Sequence, residues 1–278
     1  MRRTIWWLAL LAGLISGRGL EAQSLALFRT SVGDMLVELY DSDKPVTVQN
    51  FKTYVGGGHY QDVFLHRWVP GFVIQGGCLR TLYRNTASAQ IVYVANFGPI
   101  TNEYGVGRAF SNTYGTLAMA RVSGAPNSAT SQWFFNLTNN AFLDKVDGGF
   151  TVFGRVALGT DVLNRFNIFD PTNGIWRATL SSAFTEVPVL SAQPDLNDLV
   201  YVDITVAPAP KLQLTLNADG SRQINWTSLP NYTNRIEYTS EIPPVWQTLF
   251  ATNGTGSSAQ VVDKALFRQQ RFYRLCIE

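Results

Sequence analysis

Between Leu25 and Tyr40 two apolar, β-branched stretches flank Val32-Gly33-Asp34, the pattern of two strands joined by a tight turn. Lys44-Pro45 then opens a segment with Val48, Phe51 and Val55 at helical spacing. Pro45 is tolerated in a first helical turn, and Gly56-Gly57-Gly58 stops it. Phe64–Gln75, Gly115–Arg121, Gln132–Leu137 and Thr151–Val156 are apolar or alternating runs separated by Gly, Asn, Ser and Pro clusters, and read as strands of one sheet. A second helix is predicted from Thr160-Asp161, which can cap it, with Val162 and Phe166 on one face. Repeated short strands with two helices suggest a closed barrel with helical plugs.

Residues 167–198 hold Pro171, Gly174, Pro188 and Pro194 with little periodicity, the mark of a long surface excursion before a strand over Leu199–Val206. Ala207-Pro208-Ala209-Pro210 reads as an extended, semi-rigid linker. Beyond it lies a separate strand pattern: Leu212–Leu216, a turn at Ala218-Asp219-Gly220, Ile224–Trp226, Arg235–Tyr238 and Arg271–Cys276. The division expected is therefore residues 1–22 as leader, 23–206 as the main domain, 207–210 as linker and 211–278 as a small all-β module.

The leader is inferred from Arg2 and Arg3 ahead of an apolar run from Ile5 to Ile15, with Leu20-Glu21-Ala22 offering a cleavage site. That run is far shorter than the roughly 20 residues needed to span a bilayer, so removal after Ala22, an exported product in periplasm, at the cell surface or in the medium, and no membrane attachment after removal are expected. Removal takes Lys+Arg from 22 to 19 and Asp+Glu from 20 to 19, leaving a net charge of zero. A neutral chain without a basic run gives no electrostatic reason for a nucleic-acid partner. The composition, 46% hydrophobic and 15% charged with 17 Phe, 11 Tyr and 7 Trp, suits a β-rich globular protein. Cys78 and Cys276 fall in different predicted domains, so two independent thiols are expected.

The segment Phe64-Leu65-His66-Arg67-Trp68-Val69-Pro70-Gly71-Phe72-Val73-Ile74-Gln75-Gly76-Gly77 resembles the cyclophilin signature F-x-H-R-x-x-x-x-F-x-x-Q-G-G. Gly115–Arg121, Ser128–Asn136 and Phe142-Leu143-Asp144 are similar to the family's other half in its bacterial form. Asn50-Phe51 and Val152-Phe153-Gly154 extend the resemblance over roughly residues 24–206. It implies a mainly β fold, an eight-stranded antiparallel barrel closed by two helices, and a peptidyl-prolyl cis/trans isomerase acting on X-Pro bonds of exported proteins. The tail from Lys211 resembles small immunoglobulin-like or fibronectin III-like β-sandwich modules, with Trp226, Tyr238, Trp246 and Arg271–Arg274 as landmarks.

The reaction is a torsion about a partial double bond with a barrier of about 18–20 kcal/mol, and it requires no nucleophile, metal or cofactor. A donor that stabilises the twisted amide and a pocket that fixes the ring suffice. Arg67 matches the family's catalytic arginine, whose guanidinium stays charged and presents rigidly placed donors. Phe72, Phe134 and Leu143 correspond to the apolar floor and walls of the proline pocket, and Gln75 to the glutamine that hydrogen-bonds the substrate backbone. Ala120 and Arg121 match strand positions that pair with the peptide through main-chain groups, and Gln132 is expected to support Arg67.

Several substrate-site positions depart from the best-known eukaryotic pattern. Val73 stands where Met is usual, Arg121 where Asn is usual, and Phe150 where many members have His and bacterial ones Tyr. Phe142 replaces the Trp associated with tight cyclosporin binding, so weak cyclosporin binding is expected. The partners expected are Pro-containing polypeptides, and the protein is expected to be a monomer. The competing reading is a module that binds Pro-containing segments with little turnover. His59 and His66 are the only histidines, neither beside a nucleophile motif, which speaks against a hydrolytic triad. Metal-ligand spacing is missing, and Gly105-Val106-Gly107 lacks the rest of a nucleotide fingerprint. The sequons at Asn136, Asn225, Asn231 and Asn253 carry little weight.

Overall fold

The computed structural model describes residues 5–8, 23–168, 171–265 and 270–278. The chain divides into two compact units, one ending at Pro208 and the other beginning at Ala209. The expected leader lies outside the described residues except for the backbone of β1 (Ile5–Leu8), which belongs to the second unit and pairs antiparallel with its last strand.

In the first unit the strands are β2 (Ser24–Thr30), β3 (Gly33–Leu39), β4 (Val63–Phe64), β5 (Arg67–Val69), β6 (Val73–Gly76), β7 (Leu79–Leu82), β8 (Gln90–Tyr93), β9 (Thr116–Met119), β10 (Trp133–Asn136), β11 (Val152–Leu158), β12 (Trp176–Ala178), β13 (Val187–Val189) and β14 (Tyr201–Pro208). The helices are α1 (Pro45–Gly56) and α2 (Thr160–Arg165). The main sheet runs β5-β6-β10-β9-β11-β3-β2-β14-β4-β7-β8. Because β4 and β5 are consecutive pieces of one strand path, that order closes on itself. The Leu65 N–H donates to the Val200 carbonyl on one side (3.0 Å), and the His66 N–H donates to the Gln75 carbonyl on the other (3.0 Å). The result is an eight-stranded antiparallel ring with β7 and β8 as a side hairpin.

Alternation along the strands sends one set of side chains into the barrel. Phe28, Phe51, Trp133 and Phe135 fill it, the Phe28 ring meeting Trp133 edge-on at 5.2 Å and Phe135 at 5.1 Å. The paired glycines of the signature have a steric cause. A Cβ on Gly76 would stand 2.5 Å from the Trp133 ring, and one on Gly77, at φ +81°, only 2.4 Å from the Ser131 carbonyl oxygen. The N-terminus of α1 is satisfied from far along the chain: the Glu103 carboxylate accepts from the Val46 (3.1 Å) and Thr47 (2.7 Å) N–H groups.

Four sequence expectations change in detail. The hairpin turn is Ser31-Val32, one residue earlier than read, since Thr30 already pairs with Gly33. The run Phe64–Gln75 is not one strand; Pro70-Gly71 folds it into the β5–β6 hairpin, with Val69 opposite Val73. The N-cap of α2 is Gly159, at φ +84°, and Thr160 is its first residue. The 167–198 stretch is not a loose excursion either. β12 pairs with β13, and Val187 and Val189 are buried with Phe64, Cys78, Leu79, Leu199 and Tyr201.

The second unit has a sheet of β15 (Gln213–Leu216), β16 (Arg222–Thr227) and β19 (Ser258–Asp263), and another of β17 (Thr233–Thr239), β18 (Gln247–Asn253), β20 (Phe272–Ile277) and β1. Ile224, Trp226, Ile236, Leu275 and Ile277 are buried, and Trp226 meets Phe250 at 6.1 Å. Cys78 and Cys276 are free and buried, and burial pushes their thiols up to about 11 and about 12.

Candidate active site

Antiparallel register places directly opposed residues on the same face of a sheet. Arg67 opposes Gln75, Gln75 opposes Phe134, Phe134 opposes Ala118, and Ala118 opposes Val152. One row therefore crosses five strands on the barrel's outer face, since β10 turns Trp133 and Phe135 inward and Phe134 outward. Around that row Tyr40, Val73, Ala118, Phe134, Leu143 and Val152 form an apolar cluster separate from the barrel core, with Phe72, Phe110, Ala120 and Phe150 packed against it. Five of the predicted pocket residues, Phe72, Val73, Phe134, Leu143 and Phe150, and the predicted strand residue Ala120 thus come together. Tyr40 and Phe110, stacked at 3.9 Å, were not foreseen, because each reads as an ordinary strand or loop aromatic.

At the polar end, Arg67 lies with its guanidinium carbon 5.7 Å from the Phe72 ring centroid and its Nε 3.3 Å from the Glu186 carboxylate. The Gln75 amide donates to Gln132 Oε1 at 2.7 Å. Among the described residues Gln132 is joined to Gln75, and no hydrogen bond or ion pair joins it to Arg67. Gln132 and Phe134 share a face of β10's path, beside Gln75. Burial holds His66 down at about 4; the Gln132 hydrogen bond opposes that shift and the Arg67 charge reinforces it. The imidazole is neutral at pH 7.

The other predicted positions sit as follows. The Ala120 N–H donates to the Gln132 carbonyl at 2.9 Å. The Arg121 side chain is only 2% exposed; it donates to the Val146 carbonyl at 2.7 Å and lies 4.1 Å over the Phe150 ring, bracing the 3-10 turns Ala141–Asp144 and Val146–Gly148. Phe142 is 57% exposed, stacked on Phe72 at 5.9 Å. Beneath the pocket runs a chain of buried amides that the sequence did not announce. Asn140 Nδ2 donates to the Phe72 carbonyl and to Asn136 Oδ1, both at 2.8 Å. Asn136 Nδ2 donates to Asn112 Oδ1 (3.1 Å) and Thr116 Oγ1 (2.9 Å), and Asn112 Nδ2 to Asp144 (2.8 Å) and the Phe150 carbonyl (3.1 Å). The main-chain carbonyls of Phe72 and Phe150 hang on that chain. No group of three or more metal-ligating side chains occurs among the described residues.

An apolar cluster beside a guanidinium and an amide pair is the kind of surface that can pack against a pyrrolidine ring and supply donors to the adjoining peptide unit. The family described as cyclophilin type peptidyl-prolyl cis-trans isomerase/CLD matches residues 25–186. A peptidyl-prolyl cis-trans isomerase of Acinetobacter baylyi is 39% identical over 168 residues, 59% of this chain and 84% of that protein. Peptidyl-prolyl cis-trans isomerase B of Escherichia coli is 38% identical over 146 residues, 51% and 82% of the two chains. Among solved structures, a cyclophilin type isomerase of Cryptosporidium parvum studied with the dipeptide Ala-Pro aligns at a TM-score of 0.46 and 21% identity, over 66% of this chain and 98% of that one. The chain belongs to the cyclophilin-type peptidyl-prolyl cis-trans isomerases.

Proposed function

We propose that the outer-face cluster is the isomerisation site, acting on X-Pro bonds of exported polypeptides. The observation that carries this reading is the cross-strand row Arg67–Gln75–Phe134, which sets a cation, an amide and an apolar wall side by side. Phe72, Val73, Phe134, Leu143 and Phe150 hold the proline ring, Gln75 and the main chain of Ala120 and Arg121 hold the peptide, and Gln132 orients Gln75. Arg67 donates to the prolyl nitrogen, which regains lone-pair character as the amide twists. Export rests on the Arg2-Arg3 start, the apolar run and Ala22; no helix among the described residues is long and apolar enough to cross a membrane. The unit from Ala209 is an immunoglobulin-like or fibronectin III-like spacer, supported by its two antiparallel sheets around Trp226.

The test is exchange of an X-Pro peptide, followed by NMR or a protease-coupled assay, on wild type, Arg67→Ala and Phe134→Ala. Arg67→Ala is expected to lower kcat by about 10²-fold, the scale of a lost transition-state donor, with peptide affinity nearly kept. Phe134→Ala lowers both. Equal losses of affinity and turnover in Arg67→Ala would reduce Arg67 to an anchor, and wild type that binds without turnover would make the protein a peptide-binding module.

A further inference from the structure

We infer that Glu186, carried by the segment between α2 and β14, is a positioning residue for Arg67. This rests on the role proposed for Arg67 above. In the main sheet, β5 is bordered by β6 on one side only. The other side is covered by the 167–198 segment. The Trp68 N–H donates to the Glu186 carbonyl at 2.6 Å, and an Arg177 terminal nitrogen donates to the Trp68 carbonyl at 3.1 Å. Phe184 meets His66 edge-on at 5.8 Å, and the residue after Glu186, Val187, is fully buried. The backbone of Glu186 is thus fixed against β5 by bonds independent of its side chain.

That anchoring brings the Glu186 carboxylate 3.3 Å from Arg67 Nε, while the Phe72 ring lies under the guanidinium. Arg67 is otherwise a long side chain standing 41% exposed on the barrel's outer face, where several rotamers are open to it. The carboxylate engages Nε and the ring restricts the plane. Among the described residues the terminal nitrogens have no further hydrogen-bond or ion-pair partner, so they stay available to a peptide. Nothing in the residue pattern signals this. The chemistry is that of pre-orientation: a donor already held at the required angle loses less freedom in the twisted state than one that must be collected from solvent.

The pair is partly solvated on both sides, with Glu186 34% exposed, so its effect is modest. In the full chain, Glu186→Ala is expected to lower kcat about threefold to fivefold, the range of an exposed ion pair, with KM and the thermal midpoint essentially unchanged because the backbone anchor persists. Glu186→Gln, which keeps the side chain's length but not its charge, is expected to lose about as much as Glu186→Ala, because the 3.3 Å contact is an ion pair. In an Arg67→Ala background, Glu186→Ala is expected to cost nothing more, since its effect passes through the guanidinium. An unchanged or raised kcat in Glu186→Ala, a change confined to KM, or an additive loss in the double variant would overturn the inference. The two levels separate cleanly. If Arg67→Ala retains full kcat, the site assignment itself fails. If Arg67→Ala is impaired and Glu186→Ala is not, only the positioning role fails.

Discussion

Replacing Asn136 by Leu tests whether the buried amide chain holds the pocket together. Asn136 is fully buried and makes three hydrogen bonds: two donated, to Asn112 Oδ1 and Thr116 Oγ1, and one accepted from Asn140. Leucine has similar volume and none of these groups. Thr116 keeps its bond to the Thr113 carbonyl and Asn140 keeps Phe72, but Asn112 Oδ1 is left without a partner. An orphaned buried acceptor costs about 1–3 kcal/mol, the two other bonds contribute about 1 kcal/mol each, and the added apolar burial returns about 1 kcal/mol. The net destabilisation is about 3 kcal/mol. Urea unfolding followed through the assigned indole N–H resonances of the buried Trp68 and Trp133 reports on the barrel, apart from those of Trp226 and Trp246 in the unit beyond Ala209. Because Asn140 then holds the Phe72 carbonyl with less restraint, peptide affinity is expected to fall as well, at a temperature where the variant is still folded. A loss below about 0.5 kcal/mol with unchanged affinity would mean that packing alone sets the pocket walls. The same burial makes the sequon at Asn136 inaccessible in the folded barrel.

His66 sets a stability window. Its pKa is about 4 folded against about 6.5 unfolded, so the unfolded chain takes up the proton first; stability is full above pH 6.5 and falls by about 3 kcal/mol as pH drops toward 4. A resonance assigned to the His66 imidazole that titrates near 6.5 in the folded protein would refute this. Cyclosporin is expected to inhibit at least about tenfold more weakly than it inhibits a cyclophilin with Trp at this position, because the exposed Phe142 ring offers contact but no N–H. Phe142→Trp is expected to tighten inhibition with turnover largely intact, and no tightening would show that Phe142 does not occupy that position.

Side-chain periodicity made part of this legible. Once the sheet is granted, the two-residue period puts Trp133 and Phe135 on one face of β10 and Phe134 on the other, although all four residues of the strand are buried and their types do not say which face turns inward. Where the determinant is backbone, the sequence is mute. Nothing in Glu186 announces that its carbonyl accepts from Trp68, and Val187-Pro188-Val189 is too short, with a proline inside it, to read as a strand. The bond between Gln132 and Gln75 was not legible for a related reason: the residue types permit it, but only register brings the two amides together. The hairpin at Pro70-Gly71 was hidden by the apolar residues on both sides, which made one run of two strands.

The same distinction explains how a closed barrel can carry a mobile substrate. Its interior is occupied by rings such as Phe28, Trp133 and Phe135, and the site proposed above lies instead on the outer face, to which Val73 and Gln75 of β6 and Phe134 of β10 turn. Outward residues on a solvated face lack the packing that fixes core rotamers. The pocket therefore needs restraints of its own, and the structure supplies them from three loops: the amide chain through Asn112, Asn136 and Asn140 behind Phe72 and Phe150, the Arg121 guanidinium beneath the 3-10 turns, and the 167–198 segment along β5. Each contact ends on a main-chain carbonyl or N–H of a pocket-lining or bordering segment. Substitution of the lining side chains can thus retune which ring is accepted without moving the frame that holds it.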